Sequence, residues 1–199
     1  MATFKDYLEN NSPLILHGAL GTEMEALGYD ISGKLWSAKY LLEKPEIIQE
    51  IHETYIAAGA DLITTSSYQA TLPGLIDAGL TEKEAEQIIV LTVQLAKNAR
   101  DKVWAALDET EKAKRPYPLI SGDVGPYAAY LANGSEYSGD YGQITIEELK
   151  EFHRPRIQIL LDHGVDLLAL ETIPNRLEAQ ARSEERRVGK ECRSRWSPY

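Results

Sequence analysis

Cysteine is nearly absent. Cys192 is the only one in 199 residues, which excludes an intramolecular disulfide and fits a reducing compartment. Long apolar runs are missing too. No window approaches the roughly 18 apolar residues of a membrane span. The opening stretch, M-A-T-F-K-D-Y-L-E-N-N, has no hydrophobic leader region, so a cytoplasmic protein is expected. An excess of positive charge is also lacking: 31 Asp and Glu outnumber 21 Lys and Arg, a formal net charge of −10. That balance argues against nucleic acid or an anionic membrane as the main partner. What is present is an ordinary globular composition, 43% hydrophobic, enough for one domain with a real core.

The apolar pattern alternates between strand-like and helix-like periods. Leu14 to Leu16 reads as a first strand ending at His17-Gly18. A helix starts near Pro45, a good first-turn residue, with Ile47, Ile48, Ile51, Tyr55 and Ala58 on its inner face. Leu62 to Thr65 is a second strand. Thr81 and Glu84 form a capping box that opens a second helix, and Thr145 and Glu148 another that opens a third, burying Leu149, Phe152, Ile159 and Leu160. Between them lies a third strand, about Pro118 to Ser121. Val165 to Leu170 is the fourth, apolar enough to be buried on both faces. A fourth helix starts near Asn175, with Glu178 in the box position. The segments A-G-A-D-L-I-T-T and H-G-V-D-L-L-A-L echo each other, each a glycine helix stop followed at once by a strand. Repeated strand–helix units with crossover-length connections mean a parallel sheet covered by helices. An open doubly wound sheet and a (β/α)8 barrel both satisfy this pattern. No G-x-G-x-x-G follows the first strand, which weakens a dinucleotide-binding reading.

Chemistry is expected at the carboxyl ends of the strands. These ends are His17-Gly18, Thr64-Thr65-Ser66-Ser67, Ser121-Gly122-Asp123 and Glu171-Thr172. A carboxylate, hydroxyls and close backbone suit a zwitterionic amino acid, with Glu171 receiving the ammonium. Taken alone, Glu171 is equally a paired structural carboxylate, and His17 on an apolar strand is more often a satisfied buried histidine than a catalyst. His52, His153 and His163 lack the spacing of a helical metal site. The Tyr- and Gly-rich stretch from Gly125 to Gly142 is long enough for a lid, with loop packing the simpler reading.

Six segments together are specific: H-G-A-L-G-T-E-M-E (17–25), L-W-S-A-K-Y-L-L (35–42), T-T-S-S-Y-Q-A-T (64–71), G-D-V-G-P-Y-A-A-Y-L-A-N-G-S-E-Y (122–137), F-H-R-P-R (152–156) and L-E-T-I-P-N (170–175). In this order they resemble the homocysteine S-methyltransferases, most closely the bacterial branch that uses S-methylmethionine. The resemblance implies a (β/α)8 barrel, of which residues 1–181 supply the N-terminal half in about four βα units. It implies transfer of a methyl group from S-methylmethionine, or S-adenosylmethionine, to the thiol of homocysteine, giving methionine. It implies a zinc ion on three cysteines that presents that thiol as a thiolate. Glu171 matches the family carboxylate for the homocysteine ammonium, and Gly18 and Thr65 match pocket positions. Ser66 joins them from the same hydroxyl run.

Two departures follow from the same resemblance. His17 stands where the family pattern has aspartate, a second carboxylate for the ammonium. The zinc cysteines belong to G-I-N-C-like and G-G-C-C-like segments that do not occur here. The likeness is expected to stop near Ala181. Residues 182–199 carry six Arg or Lys and three Glu and look like a translated sequencing adapter, a non-native basic tail. The chain is therefore expected to be a truncated, inactive enzyme that self-associates through open barrel edges. Two other readings were weighed: the homocysteine module of a cobalamin-dependent methionine synthase, and a non-catalytic amino-acid-binding fragment.

Overall fold

A computed structural model describes residues 4–9, 13–33 and 35–188. Three short helices come first: α1 (Phe4–Glu9), α2 (Leu20–Ala26) and, after a 3-10 turn at Trp36–Ala38, α3 (Lys39–Glu43). Then follow α4 (Pro45–Ala57), β1 (Leu62–Thr64), α5 (Leu72–Asp77), α6 (Glu82–Ala106), α7 (Glu109–Lys112) and β2 (Leu119–Val124). The chain continues through α8 (Tyr127–Leu131), α9 (Ser135–Ser138), α10 (Ile146–Asp162), β3 (Leu167–Leu170) and α11 (Arg176–Val188). The strands form a three-stranded sheet in the order β1-β2-β3, with both pairs parallel. This is the α/β architecture that the alternating pattern predicts. No helix among the described residues is long and apolar enough to cross a membrane.

The helix starts obey local chemistry. Thr81 accepts from the Glu84 N–H while Glu84 reaches back to the Thr81 N–H, and Thr145 and Glu148 repeat the device on α10. Pro45 opens α4, which buries Ile47, Ile48, Ile51, His52 and Ile56. Ala58 is exposed and Tyr55 only half-buried, so the inner face is turned toward His52 from the expected stripe. Ile48 and Ile51 share one core cluster with Ala85, Ile89 and Val93 of α6.

The strands depart from expectation in instructive ways. The first strand, expected at Leu14 to Leu16, is reduced to a single parallel bridge between Leu16 and Leu62. Pro13 has no N–H to give a ladder, and the Ile15 N–H goes to the Asp61 carboxylate at 3.1 Å. Strand β2 runs on to Val124. Strand β3 starts at Leu167, because the Val165 N–H still closes the end of α10 on the Leu160 carbonyl. β1 and β2 are buried throughout, but every residue of β3 is only half-buried. The expectation of a fourth strand covered on both faces is thus corrected. Among the described residues, β3 has β2 on one side and no strand on the other.

Register sorts the side chains. Ile63 and Ile120 pack on Ala96 and Ala99 of α6. The alternate residues Leu62, Thr64, Leu119, Ser121, Asp123, Leu167 and Ala169 line the opposite face. That face carries the polar strand ends.

Candidate functional site

The hydroxyl run after β1 ties the strand ends together. Asp123 donates its N–H to Thr65 Oγ1 at 2.9 Å, and Ser67 Oγ donates to the Asp123 carbonyl at 2.7 Å. Ser67 has then spent its proton, so Thr65 Oγ1 donates to Ser67 Oγ, 2.7 Å away. Thr65 is therefore occupied in joining β1 to β2. Ser66 is different: it is 6% exposed, and its buried Oγ has no partner.

Glu171 follows the last residue of β3 and is exposed. Among the described residues no hydrogen bond or ion pair engages its carboxylate, whose pKa is raised by partial burial. Its backbone is held firmly. Arg182 donates to the Glu171 carbonyl at 2.9 Å and to the Thr172 carbonyl at 3.0 Å. Thr172 itself has φ 51°, a left-handed conformation that costs a β-branched residue about 1–3 kcal/mol.

Asp123, at the end of β2, is 6% exposed and its Oδ1 is buried without a partner. Burial and then the neighbouring Glu171 charge raise its pKa well above the ordinary aspartate value. In the sequence Asp123 is a strand end with nothing to mark it as a site residue. Its unpartnered burial is a property of three dimensions.

His17 and Gly18 lie elsewhere in the arrangement. The His17 ring stands edge-on to His52 (6.4 Å between centroids) and to Tyr55 (5.8 Å) of α4. A Cβ on Gly18 would come 2.5 Å from the Tyr55 ring, so only glycine lets that ring close over the turn. Burial lowers the His17 pKa, which keeps the imidazole neutral at pH 7. Among the described residues nothing joins its ring to Glu171. The structure thus joins Thr65 to Asp123, brings Glu171 within electrostatic reach of Asp123, and sets His17 and Gly18 against α4.

Two buried arginines hold the loops behind the strand ends. Arg156 of α10 donates to the carbonyls of Ser67 (3.1 Å), Tyr68 (3.0 Å) and Gly125 (2.6 Å). A Cβ on Gly125 would lie 2.5 Å from the Tyr68 carbonyl oxygen, so glycine is what lets this strand end close up. Arg182 adds the Val124 carbonyl at 2.9 Å and pairs with Glu178 at 3.1 Å. Glu178 also accepts from the Tyr127 N–H at 2.5 Å and from Tyr141. It sits in the core and serves the first N–H of α8, whereas the box role expected of it lay at the start of α11; there Asn175 caps through the Leu177 N–H at 2.8 Å. His153 links the two halves. Arg156 donates to its Nδ1 at 3.2 Å, so its Nε2–H donates to Glu178 at 2.8 Å. Burial lowers the His153 pKa to about 4. Arg156 falls inside the motif F-H-R-P-R and was legible there; Arg182 was assigned to the tail. The helix α11 runs through the expected boundary at Ala181.

Tyr127 and Tyr130 of the long loop pack against Phe152, at 4.9 and 5.5 Å between centroids, so these rings do structural duty. Among the described residues no group of three or more His, Cys, Asp or Glu side chains is placed to hold a metal ion. Cys192 lies outside the described residues. The homocysteine S-methyltransferase family pattern matches residues 14–193. The chain belongs to the homocysteine S-methyltransferase family. It is 46% identical over 181 residues to homocysteine S-methyltransferase YbgG of Bacillus subtilis, covering 91% of this chain and 56% of that protein. It is 48% identical over 168 residues to homocysteine S-methyltransferase 1 of Zea mays, covering 84% of this chain and 52% of that one. The chain thus spans about half the length of these relatives. Its fold is similar to the crystal structure of the homocysteine methyltransferase MmuM from Escherichia coli in its metallated form. The TM-score is 0.82 at 44% identity, covering 92% of this chain and 62% of that one. The family therefore accounts for the order of strand-end motifs, with Glu171 inside its matched span.

Proposed function

We propose that this chain binds the amino-acid end of homocysteine, for methyl transfer from S-methylmethionine or S-adenosylmethionine to the homocysteine thiol. The observation that carries this reading is Glu171: a carboxylate with no partner among the described residues, its backbone fixed by Arg182 and a strained Thr172. A charged group held open at a strand end is poised for a cation from outside, and the homocysteine ammonium is that cation. Ser66, with its unpartnered buried hydroxyl, is the donor we assign to the substrate carboxylate. Residues 13–182 are read as the N-terminal part of a (β/α)8 barrel. The parallel order β1-β2-β3 and the likeness to MmuM support this reading.

Zinc would supply thiol activation in this family, but the residues present do not fit it. Neither the sequence, with one cysteine, nor any described cluster offers a ligand set. No step is therefore routed through a metal. The homocysteine-binding unit is best ended after Arg182, not Ala181, because the buried Arg182 guanidinium ties α11 to β2 and β3. Calorimetric titration of the chain with L-homocysteine tests the proposal. Saturable binding is expected, weakened about tenfold or more by Glu171→Gln, the loss typical of a charge-assisted hydrogen bond. Absence of binding, or binding indifferent to Glu171→Gln, would overturn it.

A further inference from the structure

The strand ends hold one buried carboxylate that no role described so far uses. Asp123 shares a face of β2 with Ser121 and Leu119, level with Ala169 of β3; Glu171 lies two positions beyond Ala169 and so falls on the same side. Its backbone is fully employed, the N–H on Thr65 and the carbonyl on Ser67. Its side chain is not: Oδ1 is buried and unpartnered in a residue 6% exposed. Two arginines lie close enough to act on it electrostatically, Arg156 and Arg182, yet both spend their forks elsewhere, Arg156 on main-chain carbonyls and His153, Arg182 on main-chain carbonyls and Glu178. A buried carboxylate left without a donor is costly. It persists where something else completes it.

The family pattern calls for two carboxylates around the ammonium, and the position expected to supply the second is His17. That ring is neutral and turned onto His52 and Tyr55. We infer that Asp123 is the second carboxylate that receives the substrate ammonium, acting with Glu171 in place of residue 17. The inference rests on the proposal that the ligand is homocysteine. An ammonium has three N–H donors and no acceptor. It satisfies Asp123 Oδ1 and Glu171 together and lets both carry charge at once. The groups that act on Asp123 are Glu171, Arg156 and Arg182, and Tyr68 lies within its electrostatic reach. Because burial and Glu171 favour the protonated form of Asp123, arrival of the ammonium drives that proton off into solvent.

The test compares two thiols, L-homocysteine and its desamino counterpart mercaptobutyrate, by calorimetry on the 199-residue chain. Each titration is run in two buffers of different ionisation enthalpy. Asp123→Asn preserves shape, and Asp123→Ser serves as a second, smaller variant; near-UV circular dichroism checks that both fold. The chain is expected to prefer homocysteine by about tenfold or more. Both Asp123 variants are expected to lose that preference and the buffer-dependent proton release, while their affinity for mercaptobutyrate is unchanged. A role in packing alone would weaken both thiols equally. If Glu171→Gln removes the preference and the Asp123 variants keep it, the ammonium site stands and Asp123 has no part in it. If the unaltered chain binds both thiols equally, or neither, the homocysteine reading and this inference fall together.

Discussion

Arg156 shows how much one residue can organise. It is 1% exposed and its guanidinium holds the carbonyls of Ser67, Tyr68 and Gly125. Those carbonyls close the ends of β1 and β2. Burial lowers the Arg156 pKa to about 10, which still leaves it charged at neutral pH. Arg156→Leu strands three acceptors and unbalances the Glu178 network, so a loss of about 3–5 kcal/mol in urea unfolding is expected. Arg156→Lys should recover little of it, because a single ammonium cannot span the same fork. Thr172 tests the opposite kind of cost. Its φ of 51° suits glycine, so Thr172→Gly is expected to stabilise the chain by up to about 1 kcal/mol, read as a rise in thermal midpoint. Asp123→Asn should also raise the midpoint at pH 7, since it removes a buried carboxylate lacking a donor. The two gains would mark strain at the strand ends, the kind that binding sites retain at a cost in stability.

Among the elements, helices were the legible part. Capping boxes at Thr81 and Thr145 announce α6 and α10 because both halves of the device are local in sequence. The first strand misled because Pro13 and the Asp61 side chain, a distant partner, decide its hydrogen bonds. Histidines on helices were the hardest to read. His52 of α4 is fully buried with neither nitrogen partnered; its place four residues after Ile48 puts it on the apolar face, but no local pattern shows that its nitrogens lack partners. Burial lowers its pKa to about 3, and that of His153 to about 4. Both stay neutral when folded but take up protons when unfolded, at about 6.5. Their contribution is therefore whole above pH 6.5 and is lost as pH falls toward 4. Glu178 works in the same direction. Burial alone would raise its pKa, but His153, Arg182, Tyr141 and the Tyr127 N–H hold it below the usual value. Asp123 and Glu171, with raised pKa values, oppose the trend by relaxing as they protonate. Two buried histidines and Glu178 act together against these two carboxyls. Urea midpoints should fall steadily from pH 7 to pH 4.5. His52→Leu should both raise the midpoint at neutral pH and flatten this dependence; an unchanged slope would place the acid sensitivity elsewhere.

At the scale of the whole molecule, the sheet is open among the described residues. Among the described residues β3 has a neighbour on one side only, and beyond β1 there is a single bridge at Leu16. Ile15 is 55% exposed, Leu16 61% and Ile173 49%, so apolar side chains flank both open edges. A barrel would bury such edges; an open sheet offers them to another chain. The net charge of −10 resists association at low salt, but screening shortens that repulsion to roughly 8 Å at physiological ionic strength. Sedimentation velocity of the 199-residue chain is therefore expected to show concentration-dependent association that strengthens with salt. Leu16→Lys, which puts a charge on the edge nearest the single bridge, should weaken it. A monodisperse monomer at every salt concentration would show that the edges are covered by residues outside those described. The same chain should bind homocysteine without methylating it when S-methylmethionine is supplied. On the proposed reading its strand ends take the amino-acid end of the substrate, while its one cysteine cannot furnish the three-cysteine site that family resemblance implies for thiol activation. Methionine formation above the uncatalysed rate would mean that the thiol is activated by groups other than those cysteines.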